Sequence, residues 1–275
     1  MRTAVSALTL LEPRSVGEAL AMLRSHAPVT PIAGCTDVFV ALNLGTLAPR
    51  RFLNLWGLGE LRKIALHRGI LSIGALATYT QIIRSPLAGR RLTMLVDAAR
   101  QVGGVQVQNR GTIGGNIANG SPAGDSLPVL AAADAVVVLA SMDGTRRIPF
   151  TSFYTGYRRS VMLADELIVA VEVPPIEGRQ WFRKIGTRAA QAISKVVMAG
   201  VRAPHPRIAL GSVAPVVVRA TRTEQVLADG GTLEQAQETL MGEIRPIDDI
   251  RSTAEYRRRT SANLLRRFWV DTAKG

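Results

Sequence analysis

Two short glycine-bearing segments carry most of the chemistry legible in this sequence. The longer runs from Thr112 to Asp125 (TIGGNIANGSPAGD) and sets the adjacent pair Gly114 and Gly115 among small and polar residues. Glycine has no Cβ, so the main chain can approach a ligand closely and adopt positive φ. Successive free amides then form an anion-binding concavity, while Asn116 and Asp125 add an amide and an acceptor for a sugar or ring edge. The shorter runs from Pro31 to Asp37 (PIAGCTD) and reads as a strand, a tight turn and the start of a helix. A helix start presents free N–H groups and the positive end of a dipole, which suits phosphate. An isolated glycine pair is equally the mark of a structural loop. The two segments together fit one elongated diphosphate ligand gripped from two sides. Neither is a G-x-G-x-x-G fingerprint or a P-loop, which disfavours ordinary nicotinamide and nucleoside-triphosphate binding.

Other reaction chemistries find little support. His26, His67 and His205 are isolated, and Cys35 is the only cysteine, so neither a metal site nor an iron–sulfur cluster is expected in this chain. Ser121 lies in Gly-Ser-Pro, outside any G-x-S-x-G elbow. The single cysteine also rules out an internal disulfide and favours a reducing, cytoplasmic setting.

The surrounding pattern predicts the elements that place these residues. Ala4 to Leu11 reads as a first strand, not a secretory signal. Ser15 with Glu18 forms a capping box opening a helix to about Leu23. Pro28 to Ala33 reads as a short buried strand, with further strands at Phe52–Leu55, Ile70–Ile73, Ala135–Ala140 and Glu166–Val173. Helices are expected at Thr78–Arg84, Leu92–Val102, Leu127–Ala132 and Thr151–Tyr157, with a hairpin turn at Met142–Gly144. Pro174-Pro175 marks the best boundary. Beyond it come strands at Trp181–Ile185, Ser194–Val201 and Ile208–Val213. Helices at Thr221–Leu227, Thr232–Met241 and Ala254–Val270 follow, an α+β order. The run Arg257 to Arg259 reads as an exposed helix face.

At 275 residues the chain can form one large or two modest domains. Its 47% hydrophobic and 20% charged content is that of a globular protein, with no run long enough to span a membrane. The net charge of +13 raises the question of nucleic acid. The only lysines are Lys63, Lys184, Lys195 and Lys274, and the arginines are scattered from Arg2 to Arg267 without a basic stripe. That distribution fits a solvated arginine-rich surface, or docking to acidic protein partners, better than a nucleic-acid site.

The paired segments, in this order, resemble the FAD-binding medium subunit of the molybdenum hydroxylases, the flavoproteins of carbon monoxide dehydrogenase and bacterial xanthine dehydrogenase. Glu12–Leu20 (EPRSVGEAL), Gly69–Leu76 (GILSIGAL), Gln108–Asn116 (QNRGTIGGN), Arg207–Pro215 (RIALGSVAP) and Ser252–Arg259 (STAEYRRR) follow the family's pattern, so the resemblance spans nearly the whole chain. It implies an α+β architecture. A PCMH-type FAD-binding fold of two α/β subdomains (about 1–55 and 56–175) would precede a C-terminal α+β domain (176–275), a three-stranded sheet with helices.

The resemblance also implies site residues. Ile32, Ala33, Gly34, Cys35, Thr36 and Asp37 correspond to one diphosphate-binding turn, and Thr112, Ile113, Gly114, Gly115 and Asn116 to the other. Asp125, with Ser121 nearby, corresponds to an acidic residue on the ribose or adenine side; capping of the next helix is the alternative. Ile168 corresponds to an apolar residue lining the flavin site. Lys184 corresponds to a basic residue near the isoalloxazine, where it would stabilise anionic reduced flavin; an exposed lysine is the alternative. Cys35 replaces a glycine usual in the family, which costs on the order of 1 kcal/mol if the position needs positive φ. The implied partners are a small subunit with [2Fe–2S] clusters and a large subunit with the molybdopterin cofactor, in a dimer of heterotrimers. Electrons would pass through FAD to NAD, quinone or oxygen. A stand-alone PCMH-type flavin reductase or oxidase is the second reading, and a basic nucleic-acid-binding module the third.

Overall fold

In the computed structural model, which describes residues 8–273, Ser15 Oγ accepts from Glu18 N at 3.2 Å and starts the first helix. The Glu18 carboxylate closes the box one residue early, accepting from Arg14 N at 2.7 Å. The first body comprises β1 (Thr9–Leu11), α1 (Val16–Ser25), β2 (Thr30–Ile32), α2 (Val38–Asn43) and β3 (Arg51–Asn54). Its parallel sheet has the order β1-β3-β2. Ala19, Leu20 and Leu23 of α1 bury their side chains in a cluster with Leu53 and Leu55. Residues 4–7 of the expected first strand lie outside the described residues. β2 is half-exposed, contrary to the buried strand expected, because it is an edge strand of a short three-stranded sheet.

The second body continues with β4 (Ile64–His67), β5 (Ile70–Gly74) and helices α3 (Tyr79–Arg84), α4 (Pro86–Arg91), α5 (Thr93–Ala99), α6 (Val105–Arg110), α7 (Ile113–Asn119) and α8 (Leu127–Ala132). It is completed by β6 (Val136–Ser141), β7 (Gly144–Pro149), β8 (Tyr154–Gly156), β9 (Arg159–Ser160) and β10 (Leu167–Val173). Its main antiparallel sheet has the order β4-β5-β10-β6-β7. Met142 and Asp143 form the β6–β7 turn, with Gly144 at φ +134°. The helix expected at Thr151–Tyr157 is instead a 3-10 turn, Phe150–Ser152, followed by the small β8–β9 ribbon. Phe150 and Phe153 anchor that segment in the core, each with its ring edge against Tyr154, so aromatic packing sets its path.

The third body is an antiparallel sheet of β11 (Arg179–Ile185), β12 (Val196–Arg202), β13 (Arg207–Gly211) and the two-residue β14 (Val218–Arg219), followed by α9 (Thr221–Ala228), α10 (Leu233–Glu243) and α11 (Ala254–Asp271). β12 is buried on both faces. Val197, Ala199 and Val201 join the core of the second body, while Val196 and Met198 pack with Phe268 and Leu264 of α11. Two-sided burial gives a continuous apolar strand in place of alternation. All six residues of α8 are buried, because α8 packs against β12, β13 and β14 of the third body and against α5 of its own. Among the described residues no helix is long and apolar enough to cross a membrane.

Candidate functional site

The first glycine segment turns sharply between β2 and α2. A Cβ placed on Gly34 would stand 1.7 Å from the Arg110 carbonyl oxygen, so only glycine lets the two segments meet there. Cys35 follows at φ +63°, a left-handed conformation that favours glycine. Its thiol donates weakly to Ala33 O at 3.5 Å, and burial pushes its pKa up despite the nearby Arg110 guanidinium. Among the described residues, the amides of Gly34, Cys35, Thr36, Asp37 and Val38 donate to no protein acceptor. They form a run of available donors at a helix start.

The second segment is not a loop. Thr112 caps α7, accepting from Gly115 N at 3.1 Å, and Gly114 and Gly115 form its first turn. Its amides are engaged: Ile113 N donates to Ala77 O, Gly114 N to Ala75 O and Asn116 N to Thr112 O. Gly114 is buried so tightly that a Cβ would meet Ala75 at 2.7 Å. The free amides expected here are therefore found only in the first segment. What the second offers a ligand is the half-buried, Cβ-free backbone of Gly115 and the Asn116 side-chain amide, whose carbonyl is held by Ser126 Oγ at 2.8 Å. The segments touch again where Asn119 Nδ2 donates to Asp37 Oδ1 at 3.2 Å, with Arg158 bonded to Asn119. Beside them, the guanidinium carbons of Arg110 and Arg62 lie 3.8 and 4.0 Å from the Trp56 ring centroid.

Asp125 and Lys184, which the resemblance assigns to different parts of a flavin, are bonded to each other. Lys184 Nζ lies 2.6 Å from Asp125 Oδ2, with both side chains less than a tenth exposed, and also donates to Gln101 O at 2.8 Å. Ser194 Oγ donates to Asp125 Oδ1. Burial pushes the Asp125 pKa up, opposed by Lys184 and Ser194. Asp125 therefore does not cap α8, and Lys184 is not an exposed lysine. Ser121 makes only a local turn, accepting from Ala123 N at 3.3 Å. Ile168 is buried in the central core where β10 bulges against β6.

The sequence reading missed three residues behind this pair. Arg257, expected on an exposed face, is 3% exposed. It donates to Lys195 O and Ser212 O, each at 2.8 Å, and to Asp249 at 2.7 Å. Burial is possible because all these acceptors surround one face of α11, a three-dimensional fact with no linear signature. Ser212 and Ser194 sit in the same network, and the signal for Ser212 lay in the RIALGSVAP segment. A separate cavity of about 660 Å³, lined by Asp134, His205, Arg207, Arg219 and Glu224 among others, lies away from the glycine segments. Its arginines are already paired with Asp134 and Glu224.

Two family models match most of the chain. The family described as "FAD binding domain in molybdopterin dehydrogenase" matches residues 6–176, and the "CO dehydrogenase flavoprotein C-terminal domain" matches 181–272. The chain is 31% identical to the carbon monoxide dehydrogenase medium chain of Hydrogenophaga pseudoflava, over 93% of each chain. It is also 31% identical to the xanthine dehydrogenase FAD-binding subunit of Escherichia coli O157:H7, over 88% of each. Among solved structures, carbon monoxide dehydrogenase from H. pseudoflava superposes with a TM-score of 0.90 at 28% identity, covering 94% of this chain and 95% of that one. Quinoline 2-oxidoreductase from Pseudomonas putida 86 gives 0.92 at 25% identity, covering 99% and 98%. The chain belongs to the FAD-binding medium-subunit family of the molybdenum hydroxylases, oxidoreductase subunits of the carbon monoxide and xanthine dehydrogenase type.

Proposed function

We propose that this chain is the electron-transfer flavoprotein subunit of a molybdenum-containing hydroxylase complex acting in the cytoplasm. The observation that carries the reading is the run of unengaged amides from Gly34 to Val38, held against the Arg110–Asn119 segment. A diphosphate fits that arrangement: five donors on one side, a Cβ-free backbone at Gly115 on the other, and nearby arginines to offset its charge. When bound, FAD supplies the redox chemistry, accepting electrons and passing them on. The chain's own residues bind and orient it. Ile32 to Asp37 hold the diphosphate, with Thr112 to Asn116 as the opposing wall. Ile168 lies in the apolar floor. Lys184 supplies a buried cation to the isoalloxazine side, set in place by Asp125.

In this reading a small [2Fe–2S] subunit delivers electrons that a large molybdenum subunit has taken from the substrate, within a dimer of heterotrimers. The final acceptor is NAD, quinone or oxygen. The test is to express the full chain with FAD supplied, alone and together with its partner subunits, and to record the flavin spectrum of the purified protein. Flavin in a complex that also contains iron and molybdenum is the expected result. Absence of flavin under both conditions sinks the proposal, and flavin on a chain that never assembles with iron or molybdenum points to a stand-alone reductase.

A further inference from the structure

Two motifs that mark the third body, Arg207–Pro215 and Ser252–Arg259, lie outside the residues proposed above to hold FAD, yet they converge behind Lys184. Their meeting point is Ser212, a non-glycine residue at φ +64°. Such a conformation persists only where the surroundings over-determine it. All three of its polar groups are engaged. Its amide donates to Pro122 O at 2.8 Å, three residues before Asp125. Its hydroxyl donates to Ser194 O at 3.0 Å, the residue whose own hydroxyl holds Asp125. Its carbonyl accepts from Arg257 at 2.8 Å. The same guanidinium nitrogen binds Lys195 O, and Lys195 N donates to Ile185 O, one residue beyond Lys184. Ser212 with Arg257 thus ties together the Ser121–Asp125 segment, the start of β12 and the end of β11. The ligature crosses from the second body to the third, and the Asp125–Lys184 pair spans the same junction.

We infer that Ser212, braced by Arg257, is a positioning element that fixes Lys184 against Asp125 and thereby sets the charge the flavin feels. Neither residue is assigned contact with FAD; each acts through Lys184. The inference rests on the reading of Lys184 as the cation near the isoalloxazine.

The experiment measures the midpoint potential of FAD bound to the full chain in five proteins besides the wild type: Lys184→Met, Arg257→Met, Ser212→Gly, Lys184→Met/Ser212→Gly and Arg266→Met. Ser212→Gly accommodates the same backbone angle and removes the Cβ and hydroxyl, and with them the bond to Ser194 O, so it tests the inference even where Arg257→Met does not fold. Arg266 lies on the same helix and pairs with Glu234 at the surface, so it controls for general damage to α11. Loss of the Lys184 cation is expected to lower the potential. Ser212→Gly and Arg257→Met are expected to lower it in the same direction, Arg257→Met by at least half as much. The double variant is expected to fall no further than Lys184→Met, and Arg266→Met to stay at the wild-type value. A Lys184→Met potential equal to wild type overturns the reading of Lys184 and the inference with it. A shift in Lys184→Met with none in Ser212→Gly, or additive shifts in the double variant, overturns the inference alone.

Discussion

The Cα of Gly34 rests against the carbonyl of Arg110, so closely that a Cβ would stand 1.7 Å from the oxygen. This contact holds the first glycine turn to the segment leading into α7. Gly34→Ala must push the two apart, and the obstacle is backbone on both sides. Overpacking of this kind costs about 3 kcal/mol. The expected outcome is a lower urea midpoint together with loss of bound FAD. A variant that keeps both would show that the two segments are not held by this approach.

Much of this was legible in the sequence, and what was missed shares a physical reason. The turn at Ile32–Asp37 could be read because strand, glycine and helix start follow each other locally. The Gly114–Gly115 pair reads as loop in the sequence because helix propensity penalises glycine, yet it forms the first turn of α7. The bonds that hold its amides, from Ala75 O and Ala77 O, come from a strand end distant in sequence. β12 could be read as a strand, but its two-sided burial could not, since a continuous apolar run does not say what covers each face. Arg257 lay inside an arginine run that looks solvated, and only the fold brings Lys195, Ser212 and Asp249 around it. The Asp125–Lys184 pair was invisible for the same reason: the residues lie in different bodies, and each alone has a local explanation.

The buried Asp125–Lys184 pair makes a pH-dependent prediction. Removing one partner of a buried ion pair costs about 3–5 kcal/mol, because the other charge is stranded. Burial already raises the Asp125 pKa above its ordinary 3.8, and Lys184 is the main group pulling it back. In Lys184→Met that pull is gone and the folded state binds a proton more tightly than the unfolded chain. Stability is then fully present below the unfolded pKa and lost as pH rises through the raised folded value. Urea unfolding across acid to neutral pH should show a penalty that is small in acid and grows toward neutrality. Adding Asp125→Asn should remove most of the pH dependence. A penalty equal at every pH would mean the carboxylate is solvated in the variant.

Glu166 behaves in the opposite sense. Its carboxylate is 3% exposed and accepts from Arg146 Nε at 2.6 Å, from Arg146 Nη2 at 2.8 Å and from Leu163 N at 2.7 Å. The Arg146 hydrogen bond, with the Leu163 amide, holds its pKa below the ordinary 4.5. A depressed carboxylate contributes stability above the unfolded pKa and loses it as pH falls through the folded one. Because Arg146 is partly solvated, Glu166→Gln should cost only about 1 kcal/mol at neutral pH. The difference from wild type should close on acidification below 4.5. Parallel acid-unfolding curves for the two proteins would remove Glu166 from the acid limb.

Cys35 gives the most direct test of a departure from the family pattern. The residue sits at φ +63°, and an L-residue there meets a Cβ–carbonyl clash costing about 1–2 kcal/mol. The thiol adds little in return. Its one hydrogen bond among the described residues is a 3.5 Å donation to Ala33 O, and burial pushes its pKa up. Comparing Cys35→Gly with Cys35→Ala isolates the backbone effect, since neither has a thiol. The glycine variant gains from relief of the clash but adds unfolded-state freedom worth about 0.4–1 kcal/mol, so its net advantage over alanine should be about 1 kcal/mol or less. Both should retain FAD, because the donors at this turn are main-chain amides that survive either change. Equal urea midpoints for the two variants would mean that the turn relaxes out of the left-handed region once the cysteine is gone.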